Sequence, residues 1–315
     1  MGFLTLLLAV APCTTATPGC TEWVTLGGGP ARSLVYRSHP LGAKNGKITR
    51  ALIVIHGASR NADDYFRTGV AAAFLAGALD DTVVIAPRFA SKDGRGCQDK
   101  LDTNEVSWPC SGNSWRSGAA TAANAKLTSY DFTDEILRKL ARKSVFPNLK
   151  AIVLTGHSAG GQYVSRYVMA AQAHDGLGVP VTYVISNPSS YAYLDAERPA
   201  GGKTEGCADY DQWPYGLHGR KGYTERLTDD QLKKNIVARR VVFLLGELDT
   251  LPLAGFDSSC QAMAQGPSRL ARGQAYAAVL EKKYGAKHPV VTVPMCGHNA
   301  RCIYTADPAL KVLFP

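Results

Sequence analysis

From residue 51 onward, short apolar runs rich in β-branched residues alternate with stretches of helical periodicity. ALIVIHG (51–57), TVVIAPRF (82–89), VTYVISN (181–187), RVVFLLGELD (240–249) and PVVTVP (289–294) are continuous rather than alternating, and AIVLTGHSAGG (151–161) is a further such run with its turn. A continuous apolar run of this length reads as a strand buried on both faces of a sheet. Between the runs, helical spacing is seen over about 62–79, 131–144 and 269–284, and after Ser158, where Tyr163, Val164, Tyr167, Val168 and Ala171 share a stripe. Asp63 and Asp64 open the first of these helices, and Gly285 stops the 269–284 one. The alternation predicts an α/β fold with a mostly parallel central sheet flanked by helices on both faces.

The segments outside this pattern set the domain organisation. Residues 3–11 (FLTLLLAVA) are one apolar run with the length of a signal-peptide core, too short to span a bilayer. Small residues follow, so residues 1–16 are read as a signal peptide cut after Ala16, with one catalytic domain over 17–315. Two short β-like stretches, 22–26 and 33–37, flank a GGGP turn at 27–30. Residues 90–128 are glycine-, serine- and asparagine-rich and are expected to run over the surface. Residues 190–238 are polar, aromatic and glycine-rich and are expected to form a cap insertion beside the site.

Hydrophobic residues make up 45% of the 315, enough for a sizeable core. The formal charge is +9, but the basic residues are scattered and no basic run carries interleaved aromatics. That distribution argues against a nucleic-acid partner and for a solvated cationic surface. Eight cysteines suit an oxidising compartment. Proximity suggests the pairs Cys97 with Cys110, Cys207 with Cys260 and Cys296 with Cys302. Cys20 is then free if the cut removes Cys13, or paired with Cys13 if cleavage falls earlier. No cysteine or histidine spacing looks like a zinc site, and no metal or organic cofactor is expected.

Gly156-His157-Ser158-Ala159-Gly160 is G-x-S-x-G, placed directly after an apolar strand and directly before an amphipathic helix. A tight turn at that junction lifts a serine oxygen clear of a sheet. A serine hydroxyl needs a base to become a nucleophile. His298, just past the last strand, is the candidate; His39, His174, His218 and His288 do not sit at late strand ends. An imidazole needs an acid to fix its tautomer. Asp249 ends the fifth buried strand and ranks ahead of Glu247 and Asp257. For an oxyanion, the backbone N–H groups of Ala159 and Ala58 are the expected donors, with Ser59 as the alternative to Ala58. Trp115, Tyr191 and Trp213, in the two irregular stretches, are candidates to line a substrate pocket, though they could equally pack against the core.

With GHSAGG, the strand-end GELD and the late CGH on the page, the chain resembles the α/β-hydrolase superfamily over residues 51–315. HGASRNADDYF (56–66) together with GHSAGGQ is similar to secreted esterase-like hydrolases, with polyhydroxyalkanoate depolymerases and feruloyl esterases as broader relatives. The resemblance implies the α/β-hydrolase fold and acyl-serine chemistry on a small-molecule or polymeric ester. A peptidase, an amidase or an acyltransferase on the same three residues is the alternative, and a binding protein without catalysis is the more distant one. An extracellular or periplasmic location follows from the leader and the cysteines, and no stable insertion in a membrane is expected.

Overall fold

The computed structural model describes residues 11–93, 97–111, 114–199, 202, 204–253 and 255–315. Most of the apolar run of the expected leader lies outside the described residues. The strands are β1 (Thr21–Thr25), β2 (Arg32–Arg37), β3 (Arg50–Ile55), β4 (Thr82–Pro87), β5 (Ala151–His157), β6 (Val181–Ser186), β7 (Arg240–Gly246) and β8 (Val290–Val293). They form one sheet in the order β1-β2-β4-β3-β5-β6-β7-β8. β2 runs antiparallel to both neighbours, and every pair from β4 to β8 is parallel.

This order is what creates a site. From β3 the chain crosses to β4 on one side and later to β5 on the other, so a crevice opens at the carboxyl ends of β3 and β5. The register brings those ends level: Ile55 lies opposite Gly156, His157 opposite Ser186, and Gly246 opposite Val293. The loops that follow β3, β5, β7 and β8 therefore emerge at one edge.

Helices cover both faces. On one face α2 (Ser129–Leu140), α3 (Ala159–Ala170), α4 (Asp229–Ala238) and α6 (Arg269–Tyr284) pack on Ile53, Ile55, Leu154, Ile185 and Phe243. On the other, α1 (Ala62–Leu75), α7 (Ala300–Tyr304) and α8 (Asp307–Leu313) cover Leu52, Val54, Val153, Val184 and Leu244. Alternate residues of the central strands thus serve opposite cores, which is why these strands read as unbroken apolar runs. A short helix, α5 (Cys260–Met263), precedes α6. Thr128 with Asp131 and Thr228 with Gln231 form capping boxes at α2 and α4. Among the described residues, no helix is long and apolar enough to cross a membrane.

Two expectations are corrected. The 90–128 stretch is not only a surface excursion: Trp108 and Trp115 are buried, and together with Phe89, Phe132 and Tyr163 they form an aromatic layer over the sheet. The 190–238 stretch does not break the alternation throughout. Its last ten residues are α4, the helix between β6 and β7, whose polar composition hides an apolar stripe of only Leu232 and Ile236. The disulfides are Cys13–Cys20, Cys97–Cys110, Cys207–Cys260 and Cys296–Cys302. Cys20 is thus paired, and a cut after Ala16 would leave it without this partner.

Phe89 sits at the centre of the aromatic layer, fully buried against His56, Trp108, Trp115, Phe132 and Tyr163. Phe89→Ala is expected to cost about 3–5 kcal/mol of stability, the usual range for emptying a buried aromatic site. Urea unfolding checks this; a loss below about 1 kcal/mol would show that the layer collapses around the gap.

Candidate active site

Ser158 joins β5 to α3 with φ 60° and ψ −119°, a conformation that side chains rarely adopt. Strain of this kind costs about 1–3 kcal/mol and persists only where the surroundings enforce it. Here they do. A Cβ on Gly160 would lie 2.3 Å from the Ile55 carbonyl oxygen, and one on Gly156 would lie 2.3 Å from the Gly160 oxygen. The helix start is thus pressed against β3 and β5, and the serine between them has no room for a relaxed turn. The Ser158 N–H donates to the Ser186 oxygen at 3.0 Å, which holds the turn from the β6 side.

His298, in the loop after β8, places Nε2 2.9 Å from Ser158 Oγ. Its Nδ1 lies 2.7 Å from Asp249 Oδ2. A carboxylate can only accept, so Nδ1 carries the proton and Nε2 is left to receive one from the serine hydroxyl. Asp249 is buried, and a buried carboxylate is stable only when its oxygens are satisfied. Asn187 Nδ2 donates to Oδ2 at 2.6 Å, and Arg269 Nη1 stands 3.6 Å from Oδ1. Burial lowers the pKa of Arg269, and Asp249 opposes that shift. The two rival carboxylates are used elsewhere. Glu247 accepts the Met295 N–H at 2.9 Å, and Asp257 accepts from Tyr215 and Ser259. His298 itself lies between Cys296 and Cys302, whose disulfide closes the loop.

The loop after β3 forms the opposite wall. His56 is fully buried, which depresses its pKa to about 4 and keeps it neutral. Phe89 N–H donates to His56 Nε2 at 3.1 Å, so the proton is on Nδ1, which donates to the Gly57 oxygen at 2.9 Å. In a trans peptide the N–H points opposite to the C=O, so this bond turns the Ala58 N–H away from the imidazole. Among the described residues, neither the Ala58 nor the Ala159 N–H finds an acceptor within the protein. Tyr65 Oη stands against Gly57 and lies 3.4 Å from His157 Nδ1. His157 is buried and packs against His298, ring centroids 4.5 Å apart and planes tilted by 37°. Burial, with His298 and Arg269 nearby, pushes its pKa well below the ordinary value, so it adds no charge beside His298.

A cavity of about 480 Å³ opens over Ser158 and His298. Its walls include Gly57, Ala58, Ser59, Tyr65 and Arg301. The sequence-predicted residues Ser158, Asp249 and His298 are therefore brought together, and Ala58, Ser59 and Ala159 lie around them. Trp115, Tyr191 and Trp213 do not line the cavity. Trp115 stacks on Phe89, Tyr191 stacks on Tyr276, and Trp213 packs against the core. Their rings are large apolar surfaces that gain more from the core than from an open cleft. Among the described residues, no cavity wall comes from 190–238. Sequence reasoning missed Asn187, which has φ 46° and links the Gly246 N–H to Asp249. The signal was an asparagine between strand end and proline, a place where a left-handed residue is common. Arg269 gave none, because it lies on a helix distant in sequence from Asp249.

Because His56 is neutral when folded but has an ordinary value of 6.5, the unfolded chain alone binds its proton at intermediate pH. Stability is complete above pH 6.5 and falls as the pH drops toward 4. At full extent that is worth about 3 kcal/mol. Denaturant titrations at pH 7.5 and 4.5 should show wild type losing about 2–3 kcal/mol more than His56→Asn over this interval. Equal losses would mean that His56 is not held neutral.

The sequence matches the alpha/beta hydrolase family over residues 52–312. Among solved structures it is similar to LpqC, a poly(3-hydroxybutyrate) depolymerase from Bordetella parapertussis, with 22% identity, 92% of this chain and 88% of that one covered, and a TM-score of 0.65. It is also similar to poly(aspartic acid) hydrolase-1 from Sphingomonas sp. KT-1, with 21% identity, coverage of 94% and 98%, and a TM-score of 0.66. No curated protein matches it. At these identities the structural likeness is one of fold. The family match spans most of the sequence and agrees with the parallel sheet and its covering helices, and the chain belongs to the alpha/beta hydrolase family.

Proposed function

We propose that the protein hydrolyses carboxylic esters through an acyl-serine intermediate. The observation that carries this reading is the continuous hydrogen-bonded row from Ser158 Oγ through the His298 ring to Asp249. Ser158 Oγ attacks the ester carbonyl as His298 Nε2 takes its proton. The oxyanion is received by the Ala58 and Ala159 N–H groups, whose lack of internal acceptors suits that task. His298 then gives the proton to the leaving alcohol oxygen, and the C–O bond breaks. Water repeats the sequence: His298 takes its proton, the hydroxyl attacks the acyl carbon, and Ser158 is released with the acid. Asp249 holds the ring and stabilises its charged form throughout. Esters are named first because LpqC, which shares this fold, is a depolymerase of the polyester poly(3-hydroxybutyrate); poly(aspartic acid) hydrolase-1, named for a polyamide, shares the fold as well, and an amide is the second reading. Four disulfides support an extracellular or periplasmic setting, with a leader cut ahead of Cys13 fitting the Cys13–Cys20 bond better than one after Ala16.

A series of p-nitrophenyl esters from short to long acyl tests the reading. Wild type is expected to turn over, and Ser158→Ala to lose about 10⁴-fold or more in kcat. Asp249→Asn should lose about 10⁴-fold with the fold intact, since the amide favours the wrong tautomer of His298. A serine-directed fluorophosphonate should label wild type and not Ser158→Ala. A wild type that neither cleaves any ester nor takes the label sinks the proposal.

A further inference from the structure

Near Ser158 lies a pair of guanidinium groups that the hydrolysis scheme does not use. Arg166, on the third turn of α3, is almost completely buried. Its Nε donates to the Pro214 oxygen at 3.1 Å and its Nη2 to Ser190 Oγ at 3.1 Å, both neutral acceptors. Arg116, in the 90–128 stretch, is partly exposed. Its Nη1 donates to Gln162 Oε1 at 3.2 Å and its Nε to Ser114 Oγ at 3.2 Å, again neutral acceptors. Among the described residues, neither arginine has a carboxylate within ion-pair distance, and Arg116 Nη2 and Arg166 Nη1 make no hydrogen bond.

Such an arrangement is costly. Burial lowers the pKa of Arg166 to about 10, and Arg116 beside it pushes the same way. Burial also lowers that of Arg116. Asp257 and Tyr215 are the acidic groups facing both. The Asp257 carboxylate is already engaged by Tyr215 Oη at 2.8 Å and Ser259 Oγ at 2.6 Å. A buried cation and a half-buried one beside it, neither with a contacting counter-charge, are stabilised by whatever else reaches their free N–H groups, and water or a ligand anion is what remains.

Gln162 fixes where that anion would lie. Its N–H donates to the Ser158 oxygen at 3.0 Å, so it stands one helical turn from the serine. Its Oε1 receives Arg116, and its Nε2 donates at 2.7 Å to the same Ser190 Oγ that receives Arg166. The two guanidiniums are thus indexed to Ser158 through one side chain. Neither lines the cavity over Ser158. A substrate held by its carbonyl at Ser158 has two arms, one on the acyl side and one on the alcohol side of that carbon.

We propose that Arg116 and Arg166 form an anion subsite that takes a carboxylate at the far end of the substrate's acyl arm, making the preferred substrate a carboxylate-bearing ester. The inference rests on the proposed ester hydrolysis for its kinetic test and on binding alone for the rest. Arg116 makes the accessible contact and Arg166 supplies charge from beneath. Paired guanidiniums suit a planar carboxylate, which two N–H donors can grip at once.

The kinetic test pairs mono-p-nitrophenyl glutarate with p-nitrophenyl pentanoate, of equal acyl length with and without the carboxylate. In Arg116→Gln the ratio of kcat/KM for the charged over the neutral ester should fall about tenfold or more, the loss of a charge-assisted contact. Arg116→Lys should keep part of that ratio. An unaltered ratio, or an equal fractional loss on both esters, overturns the proposal. Calorimetric titration of glutarate into Ser158→Ala, at low salt, reads the subsite without turnover. Binding that weakens about tenfold on adding Arg116→Gln supports it. No binding to Ser158→Ala, equal binding to both proteins, or inorganic phosphate binding as tightly as glutarate overturns it. If wild type cleaves neither ester, the hydrolase reading fails and the titration alone decides the subsite.

Discussion

The rest of the site depends on one close approach, that of α3 to the ends of β3 and β5. A Cβ at Gly160 would collide with the backbone of β3, and one at Gly156 with the backbone of α3. Two glycines therefore let a helix start almost in contact with the sheet, and Ser158, caught between them, takes a backbone conformation it would not choose alone. The strain is local, but its support is not. It draws on the apolar packing of both faces, because only a rigid sheet and a well-seated helix can hold a turn in a costly state.

A second constraint acts on the acid side. Asp249 is buried beside Arg269 and Asn187, so its carboxylate is fixed by groups from α6 and from the end of β6 as well as by His298. The imidazole is held in turn by that carboxylate and by the neutral ring of His157. Apart from Arg269, which comes from the start of α6, each of these groups reaches the site from a different strand end, and the parallel register puts those ends level. The electrostatic arrangement is thus a product of sheet topology rather than of local sequence.

Much of this was legible in the chain. The strands announce themselves as unbroken apolar runs because both faces of the sheet are covered, and the helix over 269–284 ends at Gly285 because that residue takes φ 70°. That Ser158, Asp249 and His298 come together could be expected because each lies at or just past a strand end, which a linear reading can see. The aromatic side chains were harder. Trp115 and Tyr191 lie in irregular segments, where composition does not reveal which way a ring turns, and tertiary packing decided for the core. α4 was hidden because only Leu232 and Ile236 face inward. Asn187 carried a signal in its place between a strand end and a proline, whereas Arg269 was out of reach because what defines it is a partner on another element.

The covalent ring around His298 has a mechanical consequence. The Cys296–Cys302 bond closes a segment of sequence separation 6 that contains the imidazole and the start of α7, ahead of α8 and the chain terminus. Forces applied beyond Cys302 are then shared by two paths, the main chain and the sulfur bridge, before they reach the ring. Fraying of α8, or the drag of a fused partner after Pro315, would be borne at the bridge. The loop that carries His298 is thereby insulated from motion of the segment after it, whose buried Ala309 and Leu313 stay tied to the core.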